Sequence, residues 1–177
     1  MSDLNILLAG FGGQGILFTG KVIAYAGMME SKEVSWLPSY GPEMRGGTAN
    51  CSVCLSDTII GSPLVTTPDV LIAMNLPSLE KFESEVVPGG LIIVDSSIIT
   101  KKVERDDVKV VYLDASNIAE NNGFKGAANM VILGRMFKET GFCSAENLDK
   151  GLQKSIPPKK AALIDNNRKA IALGIES

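Results

Sequence analysis

Two glycine-rich loops hold the residues best suited to chemistry in this 177-residue chain. The first, Gly10-Phe11-Gly12-Gly13-Gln14-Gly15, meets the spacing G-x-G-x-x-G and falls between a strand-like run and a helix-like one. Glycines let backbone N–H groups approach an anion closely, and a helix N-terminus adds partial positive charge there. The same glycines would also serve a tight strand-to-helix turn with close packing, although their context favours an anion or cofactor. The second loop is Ser39-Tyr40-Gly41-Pro42-Glu43-Met44-Arg45-Gly46-Gly47. Arg45, beside two glycines, makes a phosphate or carboxylate clamp, because its guanidinium pairs bidentately where bare backbone comes near. A bland reading stands level with it: an exposed turn in which Glu43 and Arg45 form a weak surface pair.

Several familiar chemistries fit less well. A nicotinamide site wants an acidic residue about 20 positions after the glycine loop, at the end of the second strand. That strand ends Leu37-Pro38-Ser39-Tyr40, and Glu30 and Glu33 precede it. A near-Walker pattern, Gly15 to Lys21, fails at Val22, where magnesium needs a serine or threonine. Cys51 and Cys54 form a C-x-x-C, but in an extended strand residues three apart point to opposite faces. With Cys143 as the only other cysteine, buried structural thiols are the better reading than a redox or iron–sulfur site. The sequence has no histidine, which removes Ser-His-Asp, Cys-His and histidine-metal arrangements. No catalytic residue and no metal ligand is expected. Asp95, Ser96 and Asp114 stand at strand ends, where a polar residue lines a crevice or caps the next helix. Asn129, near a helix start, is equally ambiguous.

The elements that must position these loops follow from apolar patterning. Leu4 to Ala9 reads as a buried strand, and Ile16 to about Gly27 as a helix. Val34 to Leu37 suggests a second strand. Thr48 to Leu55 alternates, with Ala49, Cys51, Val53 and Leu55 on one face. Val70 to Met74, Leu91 to Val94 and Val108 to Leu113 are further strands, and Pro77 and Ser78 open a helix after Asn75. Helices are expected over 127–140, 144–153 and 159–173. The whole, 1–177, reads as one α/β domain: a three-layer, Rossmann-like, largely parallel sheet with helices on both faces. A hydrophobic content of 45%, 21% charged residues and a net charge of −3 describe an ordinary globular chain with no pull toward nucleic acid or an anionic membrane. No apolar run spans a bilayer, and the acidic start Met1-Ser2-Asp3 does not read as a signal peptide. With few cysteines as well, the expected location is cytoplasmic.

The glycine loop with Gln14, followed about 25 residues later by Tyr40-Gly41-Pro42-Glu43-Met44-Arg45-Gly46-Gly47, resembles the gamma subunits of 2-oxoacid:ferredoxin oxidoreductases. The likeness continues through Pro68-Asp69-Val70-Leu71 and Pro88-Gly89-Gly90 to Asp95, and so covers nearly the whole chain. The Ser-Tyr-Gly-Pro-Glu form is more similar to 2-oxoglutarate enzymes than to pyruvate enzymes. The resemblance implies a complex that oxidatively decarboxylates a 2-oxoacid with coenzyme A, giving acyl-CoA, carbon dioxide and reduced ferredoxin. It implies alpha, beta and delta (ferredoxin-like) partner subunits, with thiamine pyrophosphate and iron–sulfur clusters on those partners. It places coenzyme A, as substrate, at a shared site near Gly10, Gly12, Gly13, Gln14, Gly15 and the segment Tyr40, Gly41, Pro42, Glu43, Arg45, Gly46, Gly47. A free-standing NAD- or FAD-binding enzyme and a non-catalytic docking module are the competing readings. Within the family, a pyruvate, branched-chain 2-oxoacid or indolepyruvate oxidoreductase subunit is the alternative.

Overall fold

A computed structural model describes residues 3–40 and 48–177. Six strands form one sheet: β1 (Leu4–Phe11), β2 (Glu33–Tyr40), β3 (Thr48–Ser56), β4 (Val70–Ala73), β5 (Leu91–Asp95) and β6 (Lys109–Leu113), in the order β2-β3-β1-β4-β5-β6. β1, β4, β5 and β6 pair in parallel, whereas β3 is antiparallel to both β1 and β2. β3 is therefore the one described strand that runs against the others. The helices are α1 (Ile16–Met29), α2 (Leu76–Phe82), α3 (Ala115–Asn121), α4 (Ala128–Thr140), α5 (Ala145–Ser155) and α6 (Leu163–Glu176). The largely parallel α/β sheet expected from the sequence is present, with this one hairpin set into it.

Sequence pattern explains the placement. β4 and β5 are buried along their whole length, as near-continuous apolar runs in a sheet covered on both faces must be. Odd-numbered residues of β3 (Cys51, Val53, Leu55) join a large core with β1, α1 and α3 to α6. The other face holds a smaller core of Leu7, Cys54, Leu71, Ile92 and Val94 under α2 and the coil around Val65 and Ile99. Helices thus lie on both faces, five against one. β2 continues through Pro38, opposite Cys51, without interrupting the ladder; an edge strand tolerates this because the missing N–H can face outward.

The outer helices meet at glycines. A Cβ on Gly134 of α4 would lie 2.0 Å from the carbonyl oxygen of Ile171, and one on Gly174 of α6 would lie 1.8 Å from that of Val131. Gly151 of α5 likewise abuts the backbone of α1 at Ala26. α3 is the element that patterning misses. Seven residues give only Ala115 and Ala119 as a buried stripe, and Ser116, Asn117 and Asn121 are weak helix formers.

Carboxylates tie this helical layer together. Glu30 accepts from Ser144 N–H (2.5 Å) and Asn147 Nδ2 (2.9 Å), joining the end of α1 to the start of α5. Asp149 takes both arms of Arg168 (2.5 and 2.8 Å), joining α5 to α6. The Ser144 amide holds Glu30, and Arg168 holds Asp149, below the usual carboxylate range. A folded state with lowered carboxylate pKa values binds fewer protons than the unfolded chain, so stability rises with pH there. Its contribution is complete above the unfolded values of about 4 and fades as pH falls through the folded ones. Thermal midpoints should fall with acidification below that point, and less steeply in Glu30→Gln. An equally steep profile in that variant would remove Glu30 from the account.

Candidate functional site

The glycine loop closes β1 with a turn in which Gln14 N–H donates to the Phe11 carbonyl at 3.2 Å. Gly13 has φ +96°, the left-handed third position of a type II turn, and a Cβ there would meet nothing within 4 Å. Gly15, at φ +78°, caps α1 without a side-chain hydrogen bond. Among the described residues, no side chain caps the first N–H groups of α1.

Gln14 fastens the loop to the sheet. Its Oε1 accepts from Phe11 N–H at 2.6 Å, and its Nε2 donates to the Met74 carbonyl at 2.8 Å. A Cβ on Gly10 would lie 2.6 Å from that Oε1 and 3.1 Å from Met74 Cβ. Asn129 braces the other side, its Nδ2 donating to the Gly15 carbonyl (3.3 Å) and to Thr19 Oγ1 (3.2 Å). A Cβ on Gly15 would come within 2.2 Å of the same nitrogen. Gly10 and Gly15 thus have packing duties, while Gly13 faces outward. Gln14→Ala leaves the Met74 carbonyl without its donor and should lower stability by about 1–2 kcal/mol. Urea denaturation measures this, and an unchanged midpoint would show the bridge to be idle.

The second loop joins the same place by register. Phe11 is paired with Thr48, and both Gly10 and Tyr40 are paired with Ala49. The two ends of the segment therefore lie on one side of the carboxyl end of β1, Thr48 on the neighbouring strand and Tyr40 one strand beyond. Gly41, Pro42, Glu43, Arg45, Gly46 and Gly47 themselves lie outside the described residues. The site is also the topological switch point of the sheet. From β1 the chain crosses to β2 over the larger core, and from β4 to β5 over the smaller one. Open α/β sheets place ligands at this point.

Two clefts open here. One of about 270 Å³ is lined by Gly13, Gln14, Met74, Ser116, Glu120, Lys125, Gly126 and Ala128. A larger one of about 500 Å³ is lined by Phe18, Phe124, Lys125, Asn129, Lys160 and Asn167, among others. Between them stands the α3–α4 turn. Gly123 and Phe124 close α3 with 5→2 and 6→1 hydrogen bonds to Glu120 and Ala119, and Gly126 turns the chain at φ +83°. Lys125 is thereby set on the ridge between the clefts. Sequence reasoning passed over this turn; its signal was the pair Gly123 and Gly126 bracketing an aromatic and a lysine.

The remaining singled-out residues have structural work. Asp95, fully buried, accepts from Ser116 Oγ (2.6 Å), Ser97 N–H (3.1 Å) and Ser116 N–H (3.4 Å). It fastens the end of β5 to the first turn of α3, which is the capping expected of such a residue, delivered to a neighbouring element. Asp114 accepts from Ser97 Oγ (2.6 Å) and Asn117 Nδ2 (2.8 Å). Cys51 and Cys54 fall in different cores on opposite faces of the sheet, an arrangement that does not fit one ion or one cluster. Burial pushes the Cys51 thiol up to about 12 and raises that of Cys54, so neither is a thiolate near neutral pH. Among the described residues, no helix is long and apolar enough to cross a membrane.

Comparison with known proteins gives this geometry its class. The chain belongs to the pyruvate ferredoxin/flavodoxin oxidoreductase family, whose model matches residues 5–177. It is 39% identical over 176 residues to the ketoisovalerate oxidoreductase subunit VorA of Methanothermobacter thermautotrophicus, a match covering 98% of this chain and 36% of that protein. The chain thus spans about a third of the length of that curated relative. The gamma subunit of a keto/oxoacid ferredoxin oxidoreductase from Geobacter sulfurreducens superposes with a TM-score of 0.83 at 31% identity, covering 98% of this chain and 96% of that one. The 2-oxoglutarate:ferredoxin oxidoreductase of Magnetococcus marinus, solved with 2-oxoglutarate, coenzyme A and succinyl-CoA bound, gives a TM-score of 0.89 at 26% identity, covering 99% of this chain and 31% of that one.

Proposed function

We propose that this chain is the gamma subunit of a complex that oxidatively decarboxylates a 2-oxoacid with coenzyme A and passes electrons to ferredoxin. In this reading it supplies part of the coenzyme A site and helps hold the assembly. Thiamine pyrophosphate and iron–sulfur clusters would sit on partner subunits, and the placement of Cys51 and Cys54 agrees with that division. The observation that carries the reading is the register. It brings the glycine loop at the end of β1 level with both ends of the 41–47 segment, on the next strand and the one beyond. Gly12, Gly13 and Gln14 would frame the anion on one side, and the Tyr40 to Gly47 segment, with Arg45 as phosphate partner, on the other.

Two substrates have specific support. The Ser-Tyr-Gly-Pro-Glu form favours 2-oxoglutarate. The 39% identity to VorA favours the branched-chain 2-oxoacid ketoisovalerate. The test is co-expression with the genomic neighbours and assay of coenzyme A-dependent viologen reduction with 2-oxoglutarate, pyruvate, branched-chain 2-oxoacids and indolepyruvate. In the active complex, Arg45→Ala should raise the KM for coenzyme A at least tenfold, the loss of about 1.4 kcal/mol expected when a charge-assisted contact is removed. An unchanged KM would end Arg45's role. A purified chain with no thiamine- or iron-bearing partner would end the larger reading.

A further inference from the structure

The cleft of about 500 Å³ is walled by α1, the α3–α4 turn, the start of α4 and the turn between α5 and α6. Its chemistry changes with depth. Asn129 is 7% exposed, Phe18 and Phe124 are half-buried, and Lys125 and Lys160 are exposed. Asn129 has one polar atom to spare. Its Nδ2 is spent on the Gly15 carbonyl and Thr19 Oγ1. Among the described residues no donor reaches its Oδ1, and that oxygen is not sealed from solvent. Oδ1 is therefore the atom that Asn129 presents to the cleft, an acceptor beside two aromatic rings.

The rim suits the opposite kind of group. The nearest carboxylate to Lys125 is that of Glu120 at 4.0 Å, an exposed pair too loose to neutralise it. Lys160 has no ion pair among the described residues. α4 begins beside Lys125 without a side-chain cap, so its first amides add partial positive charge. An aromatic wall, one acceptor at depth and two cations at the mouth call for a ligand with a flat, amine-bearing ring at one end and phosphate at the other.

We infer that this cleft binds an adenine nucleotide. The ring lies against Phe18 and Phe124, the 6-amino group donates to Asn129 Oδ1, and Lys125 and Lys160 hold the phosphates. Guanine and hypoxanthine carry a carbonyl where adenine carries that amine. Two sources supply the group: the nucleotide end of coenzyme A and a free adenine nucleotide. Lys125 lines this cleft and the smaller one at Gly13 and Gln14. A ligand anchored here by its nucleotide would therefore pass its other end across the ridge to the glycine loop. The coenzyme A source rests on the function proposed above, whereas the nucleotide site does not.

Calorimetric titration of ADP into the full-length chain tests the site. Saturable binding is expected, and purine riboside 5′-diphosphate, which lacks only the 6-amino group, should bind about fivefold more weakly for want of one neutral hydrogen bond. Lys125→Ala combined with Lys160→Ala should weaken ADP by about tenfold and leave the Tm unchanged, because both side chains are exposed. Lys138→Ala, in the last turn of α4, should bind ADP as the wild type does. No saturable ADP binding at millimolar concentration would overturn the inference, as would equal affinity in the double lysine variant or for the analogue without the amine. Displacement of ADP by coenzyme A would identify the source as coenzyme A, and undisturbed ADP binding would identify a free nucleotide. A chain that binds ADP in this way but enters no coenzyme A-dependent complex would end the proposed function and keep the site.

Discussion

Gly174→Ala is expected to destabilise the chain by about 3 kcal/mol, the upper part of the range for overpacking. In an exposed helix the same change is stabilising, since alanine exceeds glycine by about 1 kcal/mol in helix propensity. Here the sign reverses. The new methyl group would stand 1.8 Å from the Val131 carbonyl oxygen, and Gly134 stands in the same relation to Ile171. The obstacle in each case is backbone, which cannot rotate aside. α4 and α6 would have to separate, giving up contacts around the buried Val131, Ala170 and Ile171. Urea denaturation of Gly174→Ala, Gly134→Ala and the double variant measures the effect. Because both changes relieve themselves by the same separation, the double variant should lose less than the sum. Gly61→Ala, with no atom within 4 Å of its Cβ, serves as the neutral control. A neutral or stabilised Gly174→Ala would mean the helices are not pinned at this crossing.

Gly15→Ala is expected to cost a similar amount, about 3 kcal/mol, through two separable causes. An alanine at φ +78° carries left-handed strain of about 1–2 kcal/mol. Its methyl group would also displace the Asn129 side chain, breaking the hydrogen bonds to the Gly15 carbonyl and Thr19. Asn129→Ala alone should lower stability by about 1 kcal/mol. In the double variant the collision is gone and the strain remains, so Gly15→Ala should cost about half as much there as in the wild type. A double-mutant cycle by chemical denaturation resolves the two terms. Strict additivity would show that Asn129 does not respond to this position. In the complex proposed above, the same single change should weaken coenzyme A saturation, because the first turn of α1 is anchored at this residue.

These cases show how far the sequence could be read. Apolar runs located β1, β4 and β5, whose buried lengths must be apolar throughout, and shorter apolar or alternating patterns located β2, β3 and β6. The alternation in β3 correctly sent Cys51 and Cys54 to opposite faces. The direction of β3 was not legible: alternation specifies a strand's faces and not its sense, and nothing local distinguishes a parallel neighbour from an antiparallel one. The glycine loop was legible as a loop, whereas the duties of its members were not. Gly10 is constrained by Met74, 64 positions away, and Gly15 by Asn129, 114 positions away. Only the fold brings those partners near. Asn129 itself looked like one more polar residue at a helix start, since its role depends on the distant Thr19. The Lys125 turn escaped attention because two left-handed glycines declare a turn without declaring what it separates.

The proline inside β2 has a consequence for how the molecule avoids unwanted company. A sheet whose last strand is eight residues long offers a template on which another copy could add a strand, the first step toward open-ended aggregation. The ladder to β3 runs unbroken past Pro38, so the position lacking an N–H faces away from the sheet. An incoming strand would meet a missing donor midway and could not complete its own ladder. Growth of the sheet by a further strand at β2 is therefore disfavoured.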